Sequence, residues 1–183
     1  MFSYTIDDAL QLALVTQQDV PAIFELTDRS RQHLRVWLPW VDDTTSIQDT
    51  LGFVSQAMTQ YAQNNGFQAV IWEDGSPAGI IGLHGIDWAN RYTIIGYWLG
   101  ESFQGRGIMT RAVRGVTTFL YKHYGLNRVE IRAATGNAKS RAIPERLGYT
   151  LEGISRQCER LHDQYVDHAV YAMLRENWPI SNA

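Results

Sequence analysis

The chain has a single cysteine, Cys158, among its 183 residues. An intrachain disulfide is therefore excluded, and a reducing compartment suits it. No apolar run approaches the roughly 18 residues of a membrane-spanning helix. No basic and apolar leader with a small-residue cleavage site opens the sequence, so a cytoplasmic protein without membrane contact is expected. Charge is modest, with 16 Lys/Arg against 19 Asp/Glu and a net of −3. A protein that holds nucleic acid by neutralising phosphates needs a basic surplus, so direct nucleic-acid binding is not expected; a substrate displayed on a ribosome stays open. His162 and His168 flank a loop at a spacing unlike a metal-ligand set, and no metal is expected. Cys158 lacks the context of a nucleophile and reads as an inert thiol. Repeats, low-complexity segments and linkers are also missing. With 45% hydrophobic and 19% charged residues, one globular domain over residues 1–183 with a sizeable core is expected.

The pattern that is present alternates strands and helices. Residues 1–8 read as a loose start. Leu10, Leu12 and Leu14 alternate with polar or small neighbours, giving a strand near 9–15. Asp19 and Pro21 open a helix over about 20–33. Leu34 to Trp40 reads as a rigid apolar loop, packed on the core or walling a substrate, and Asp42 to Ser46 as a polar break. Ile47, Leu51, Val54, Met58 and Tyr61 mark a helix to about 63, stopped by Asn64-Asn65-Gly66. Strands over 67–72, 78–85 and 91–99 form an antiparallel meander, with a hairpin turn at Asp74-Gly75. A helix from Ile108 ends at Gly125. The strand 128–133 follows this crossover and should run parallel to 91–99. Asn137 caps a short helix ending near Leu147-Gly148, and strands 149–154 and 165–174, joined by a polar loop, close the chain. This is an α+β protein with a mixed, mostly antiparallel sheet flanked by helices.

The sharpest local signal is Gln104-Gly105-Arg106-Gly107, between an apolar strand and an amphipathic helix. Two glycines there allow a tight turn and close approach of a ligand to the backbone. Free N–H groups at the helix start, with the helix dipole behind them and Arg106 beside them, suit a pyrophosphate. No Gly-Lys-Ser/Thr follows, so the turn is not a P-loop. Thr110 stands where a dinucleotide fingerprint needs its third glycine. The plain alternative is an ordinary strand-to-helix turn.

The stretch resembles the acetyl-CoA signature of the GNAT N-acetyltransferase superfamily, Gln/Arg-x-x-Gly-x-Gly/Ala, here Gln104-x-x-Gly107-x-Met109, with Met109 departing from the small last residue. The element order over almost the whole chain is similar to that superfamily. Four pieces resemble its RimJ/RimL-like branch, which acetylates N-terminal α-amines of ribosomal proteins. They are His33-Leu34-x-x-Trp37-Leu38-Pro39-Trp40; Gly96-Tyr97-Trp98-Leu99 running into Phe103 to Gly107; Asn137-x-x-Ser140-x-x-x-Pro144-Glu145-Arg146-Leu147-Gly148-Tyr149 with Glu152-Gly153; and Tyr165-x-Asp167-x-x-x-Tyr171.

The resemblance implies a splayed parallel strand pair that binds CoA. Pantetheine would pair along Tyr97, Trp98 and Leu99, with a backbone N–H near Leu99 polarising the acetyl carbonyl. Gly105, Arg106, Gly107, Ile108, Met109 and Thr110 would form the pyrophosphate cradle, with Gln104 shaping its entry. Asn137, an N-cap in its own right, and Ser140 resemble the second CoA motif. Pro144 occupies the usual position of a tyrosine acid and cannot donate, so Ser140 inherits protonation of the leaving thiolate, unless it only bonds to the helix start. Glu130 matches a base position in related α-amine acetyltransferases, against the plain reading of an Arg-paired carboxylate beside Arg128 and Arg132. Glu101 is the second candidate. His84 reads as packed or substrate-lining. The implied reaction is direct transfer from acetyl-CoA, the cosubstrate, to a primary amine. The acceptor is a protein N-terminus, or else a small amine such as a polyamine, amino acid or aminoglycoside; a non-catalytic acyl-CoA-binding module is the third reading. Oligomeric state is left open, a homo-oligomer included.

Overall fold

The computed structural model describes residues 3–179. Eight strands form one mixed sheet in the order β1-β2-β3-β4-β5-β6-β8-β7. Strand β1 (Ser3–Thr5) pairs antiparallel with β2 (Leu10–Leu14). This corrects the loose start expected over 1–8, whose first two residues lie outside the described ones. Asp7 Oδ1 accepts the N–H groups of Ala9 and Leu10 and folds the short segment back, a local turn that alternation does not reveal.

Strands β3 (Gln68–Glu73) and β4 (Ser76–Asp87) form the expected hairpin, and β5 (Tyr92–Leu99) follows. The helix α5 (Ile108–Phe119) then crosses over to β6 (Arg128–Ala134). It widens into a π-type turn over Leu120–Tyr124 and stops at Gly125, whose φ of 63° is left-handed. The resulting β5–β6 ladder is parallel and runs from Tyr92↔Arg128 to Ile95↔Ile131, while β5 itself continues to Leu99.

The single helix expected over 20–33 is two pieces, α1 (Val20–Arg29) and α2 (Arg31–Leu34). Ser30 leaves helical dihedrals (φ −102°, ψ 6°), and its Oγ accepts the N–H of Glu101 at 3.1 Å. The helix is interrupted at this one residue, whose side chain anchors the chain just beyond β5. The expected loop 34–40 and the polar break after it also need correcting, because Trp40–Asp43 forms a helical turn, α3. Arg31 donates to Val41 O (2.5 Å) and Thr44 O (2.8 Å), satisfying carbonyls at its end. Helix α4 (Ile47–Ala62) opens with a capping box of Ser46 and Asp49.

Asn137 caps α6 (Ala138–Arg146), its Oδ1 accepting Ser140 N–H at 3.1 Å. The last two strands are longer than expected: β7 (Thr150–Leu161) and β8 (Gln164–Leu174) leave only His162 and Asp163 as the turn. Polar residues fill β7 because it is a solvent-facing edge strand. An irregularity between Ser155 and Glu159, with Gln157 at φ 47°, breaks its alternation.

The chain forms two compact units. One comprises residues up to Gly82 with Tyr97–Ala112, the other Leu83–Gly96 with Val113 onward. In the first, Val15, Val20, Ile23, Val54, Ala57, Val70 and Ile80 form a buried cluster against which Trp72 and Trp98 pack. In the second, Tyr121 and Tyr171 are buried, and Tyr121 OH donates to Met173 O at 2.7 Å. No helix among the described residues is long and apolar enough to cross a membrane.

Candidate active site

In the first unit, β5 ends at Leu99 and Gly100 N–H donates to Ala78 O on β4 at 2.8 Å. A turn over Glu101–Phe103 leads into Gln104. Gly105 and Gly107 take φ of 73° and 71°, which L side chains rarely adopt, and among the described residues beyond their chain neighbours no atom lies within 4 Å of where a Cβ would stand on either. The turn is thus both left-handed twice over and open, the form a cradle for phosphate oxygens requires. Ile108 and Met109 turn inward, 1% and 4% exposed. Met109 therefore places its bulk in the core rather than over the turn. Thr110 is half-buried. Gln104 Nε2 lies against the His33 ring, so α2 and the cradle touch.

Arg106 is half exposed and pairs with Glu73 at 2.8 Å; Arg111, one turn into α5, meets Glu73 at 3.6 Å and Asp7 at 2.6 Å. Glu73 is buried at the end of β3. Sequence reading missed this carboxylate, because its only signal is a charge one residue before the Asp74-Gly75 turn. It holds Arg106 and Arg111 beside the turn, and Arg106 stays half exposed. Tyr97, Trp98 and Leu99 are half-buried, and the Trp98 ring centroid lies 5.9 Å from that of Trp40, which is exposed. Glu101 is exposed.

In the second unit, Ser140 is half-buried in the first turn of α6 and Pro144 is buried one turn on. Tyr171 OH donates to Glu145 Oε1 (2.5 Å) and accepts from Arg141 Nε (2.9 Å), and Arg141 also donates to Thr135 O. These bonds fix α6 over β6 and β8. Glu130 on β6 is 4% exposed. Arg128 pairs with it at 2.8 Å and Arg132 pairs with its other oxygen. Burial raises its proton affinity, but the hydrogen bonds and charges of Arg128, Arg132 and Tyr92 more than offset this and hold the carboxyl below its ordinary range. Arg128 also binds Glu152 through both carboxylate oxygens. Glu130 is thus the Arg-paired carboxylate weighed from sequence, an ion-pair centre with weak proton affinity. Nearby on the hairpin, His168 Nε2 lies 2.9 Å from Glu159 Oε2, a pair that spacing across a loop did not suggest. Among the described residues no three His, Cys, Asp or Glu side chains cluster as metal ligands do.

His84 on β4 sits against Gly96 on β5: a methyl at Gly96 would lie 2.6 Å from the ring Nε2. Partial burial of the ring and the charge of Arg132 lower its pKa below the ordinary imidazole value, so it is neutral at pH 7.

A family model described as "Acetyltransferase (GNAT) domain" matches residues 9–150. The chain belongs to the GNAT acetyltransferase family. It is 36% identical over 180 residues to a protein of Bacillus subtilis (strain 168) named "Putative ribosomal N-acetyltransferase YdaF", covering 97% of this chain and 98% of that one. Among solved structures it is similar to RimL, described as a ribosomal L7/L12 alpha-N-protein acetyltransferase and solved with coenzyme A, at TM-score 0.92 and 28% identity over 94% of this chain and 98% of that one. It is also similar to the microcin C7 self immunity acetyltransferase MccE, solved with acetyl-CoA and AMP, at TM-score 0.89 and 28% identity over 92% and 94%. This GNAT protein is an acetyl-CoA-dependent N-acetyltransferase with the expected mixed α+β sheet.

Proposed function

We propose that this enzyme acetylates the N-terminal α-amine of a protein, with a ribosomal protein as acceptor. One observation carries the reading: its likeness to YdaF and RimL spans nearly the whole of all three chains. Acceptor contacts in such folds lie on loops, and here the α2–α3 segment presents Val36 and Trp40 to solvent, 51% and 37% exposed, apolar surface that suits a peptide. An α-amine ionises near pH 7.7–8.0, about two and a half units below a lysine, so a mild base suffices to make it nucleophilic.

The cradle residues fit the cosubstrate. Gly105 and Gly107 leave open space beside exposed backbone, and Arg106 supplies a charge that Glu73 holds in place. In the proposal the pantetheine amides pair along Tyr97, Trp98 and Leu99, and the Leu99 region polarises the acetyl carbonyl. Gln104 to Thr110 take the pyrophosphate. Asn137 orders the start of α6, and Ser140 protonates the departing thiolate. Glu130 orients Arg132 through their ion pair, and Glu101 is kept as the second carboxylate to test.

The small-amine reading has one observation in its favour: MccE, similar at TM-score 0.89, is described as a self immunity acetyltransferase rather than a ribosomal-protein one and was solved with the small molecule AMP. A panel separates the two. Peptides beginning with Ser or Ala, their N-blocked forms, polyamines and aminoglycosides are offered with acetyl-CoA, and thiol release is followed together with product mass. The expected result is one added acetyl group on free N-termini and none on blocked peptides. Acetylation confined to the small amines would overturn the proposal.

A further inference from the structure

We infer that His84 is the group that takes the proton from the attacking amine. This rests on the acetyl-transfer reading above and adds a residue that it leaves open. The geometry carries it. Residue 96 is glycine, and its missing Cβ makes room for the His84 ring, with Nε2 as the nearest atom. Any larger residue there would displace the imidazole. Gly96 immediately precedes Tyr97, Trp98 and Leu99 on strand β5, the segment proposed to pair with pantetheine. The residue keeps solvent-exposed surface while its ring is partly buried.

The groups facing His84 fit the role. On β4, its neighbours Gly82, Gly85 and Ile86 do not titrate. On β5, Ile94 and Tyr92 share the face of Gly96, and Tyr92 interacts with Glu130 and Arg132. On β6, the register Tyr92↔Arg128 and Ile94↔Glu130 puts Arg128, Glu130 and Arg132 on that face. Arg132 is the charge His84 feels, and Glu130 holds Arg132 by an ion pair. A cation beside the imidazole, together with its partial burial, keeps the ring unprotonated and ready to accept at neutral pH. Arg132 and Glu130 are positioning residues, acting through His84.

The step balances. The amine nitrogen attacks the acetyl carbonyl carbon, the N–C bond forms and the C–S bond breaks. The proton leaving the nitrogen goes to His84 Nε2, directly or through one water. The thiolate takes a proton from Ser140, which recovers one from solvent, and His84 releases its own to solvent. The products are the amide and free CoA thiol.

The test compares His84→Ala and His84→Gln with wild type on the acceptor the panel selects, measuring kcat against pH at saturating substrates and acetyl-CoA binding by calorimetry. The expected result is a kcat about 10²-fold lower or more at pH 7, with acetyl-CoA affinity changed less than about twofold. Wild-type kcat should fall in acid with an inflection below the ordinary imidazole value of 6.5, and that limb should vanish in both variants. Added imidazole should restore part of the His84→Ala rate. Arg132→Gln should move the wild-type inflection upward. An unchanged kcat in both variants, or a lowered kcat with the acid limb intact and no rescue, overturns the assignment of His84 while leaving acetyl transfer standing. A wild type that binds acetyl-CoA and acetylates no amine overturns the transfer reading itself, and this inference with it.

Discussion

Gly107 and Gly125 form a natural pair for one decisive comparison. Both are left-handed, at φ 71° and 63°, and at both an added Cβ meets nothing within 4 Å. Substitution by alanine therefore adds strain and no clash. The strain is the cost of an L residue in that conformation, about 1–2 kcal/mol, and at this chain length it lowers Tm by roughly 2–8 °C. Gly107→Ala and Gly125→Ala should lose stability alike. They should differ in function, because only Gly107 lies in the turn proposed to hold the pyrophosphate. Its new methyl would stand where a phosphate oxygen approaches, and losing one charge-assisted hydrogen bond of about 1.5 kcal/mol weakens acetyl-CoA roughly tenfold. Gly52→Ala in the middle of α4, also without a neighbour within 4 Å, should gain about 0.5–1 kcal/mol. Melts and calorimetric titrations with acetyl-CoA read all three. Equal acetyl-CoA affinity in the Gly107 and Gly125 variants would refute the reasoning that the turn is a ligand cradle.

Three further outcomes are expected. Asn137→Ala removes the side-chain acceptor of Ser140 N–H and should cost about 1 kcal/mol, read as a lower urea midpoint with an unchanged m value. Ser140→Ala should lower kcat with little change in the acetyl-CoA KM; a KM effect alone would assign the residue to binding instead. Glu130 titrates below its ordinary value of 4.5, so its stabilisation is complete above that value and is lost as pH falls through the folded-state pKa. Urea melts across pH 2–7 should therefore show a steeper acid loss in wild type than in Glu130→Gln, and parallel curves would contradict the ion-pair assignment.

Much of the fold is legible in the sequence because alternation and helical spacing report which residues face the core. Leu10, Leu12 and Leu14 mark β2, Ile108 to Leu120 mark α5 and its wider last turn, and Gly125 stops it. Three places resist that reading, each for a physical reason. Ser30 breaks a helix by bonding to Glu101, a contact 71 residues away. Trp40–Asp43 is held in a helical turn by Arg31, which reads as an ordinary surface charge. Edge strand β7 hides its length because it is largely exposed and its polar residues need not alternate. The candidate site divides the same way. The two glycines that shape the cradle stand out locally. The electrostatics around it do not: Glu73 with Arg106 and Arg111, the Arg128–Glu130–Arg132 set, and His84 against Gly96 all depend on register between strands, which no local pattern fixes.

The central claim is that the Gln104–Thr110 turn holds acetyl-CoA, and a thermal melt tests it most directly. At about 100 times Kd, one-site binding adds roughly 2.7 kcal/mol, a rise of about 5–10 °C for this length. Acetyl-CoA should produce that rise and ATP or NAD none, and in Gly107→Ala, with an affinity about tenfold lower, the rise at the same ligand concentration should be cut to roughly half. A well-folded wild type whose Tm does not move with excess acetyl-CoA would contradict it.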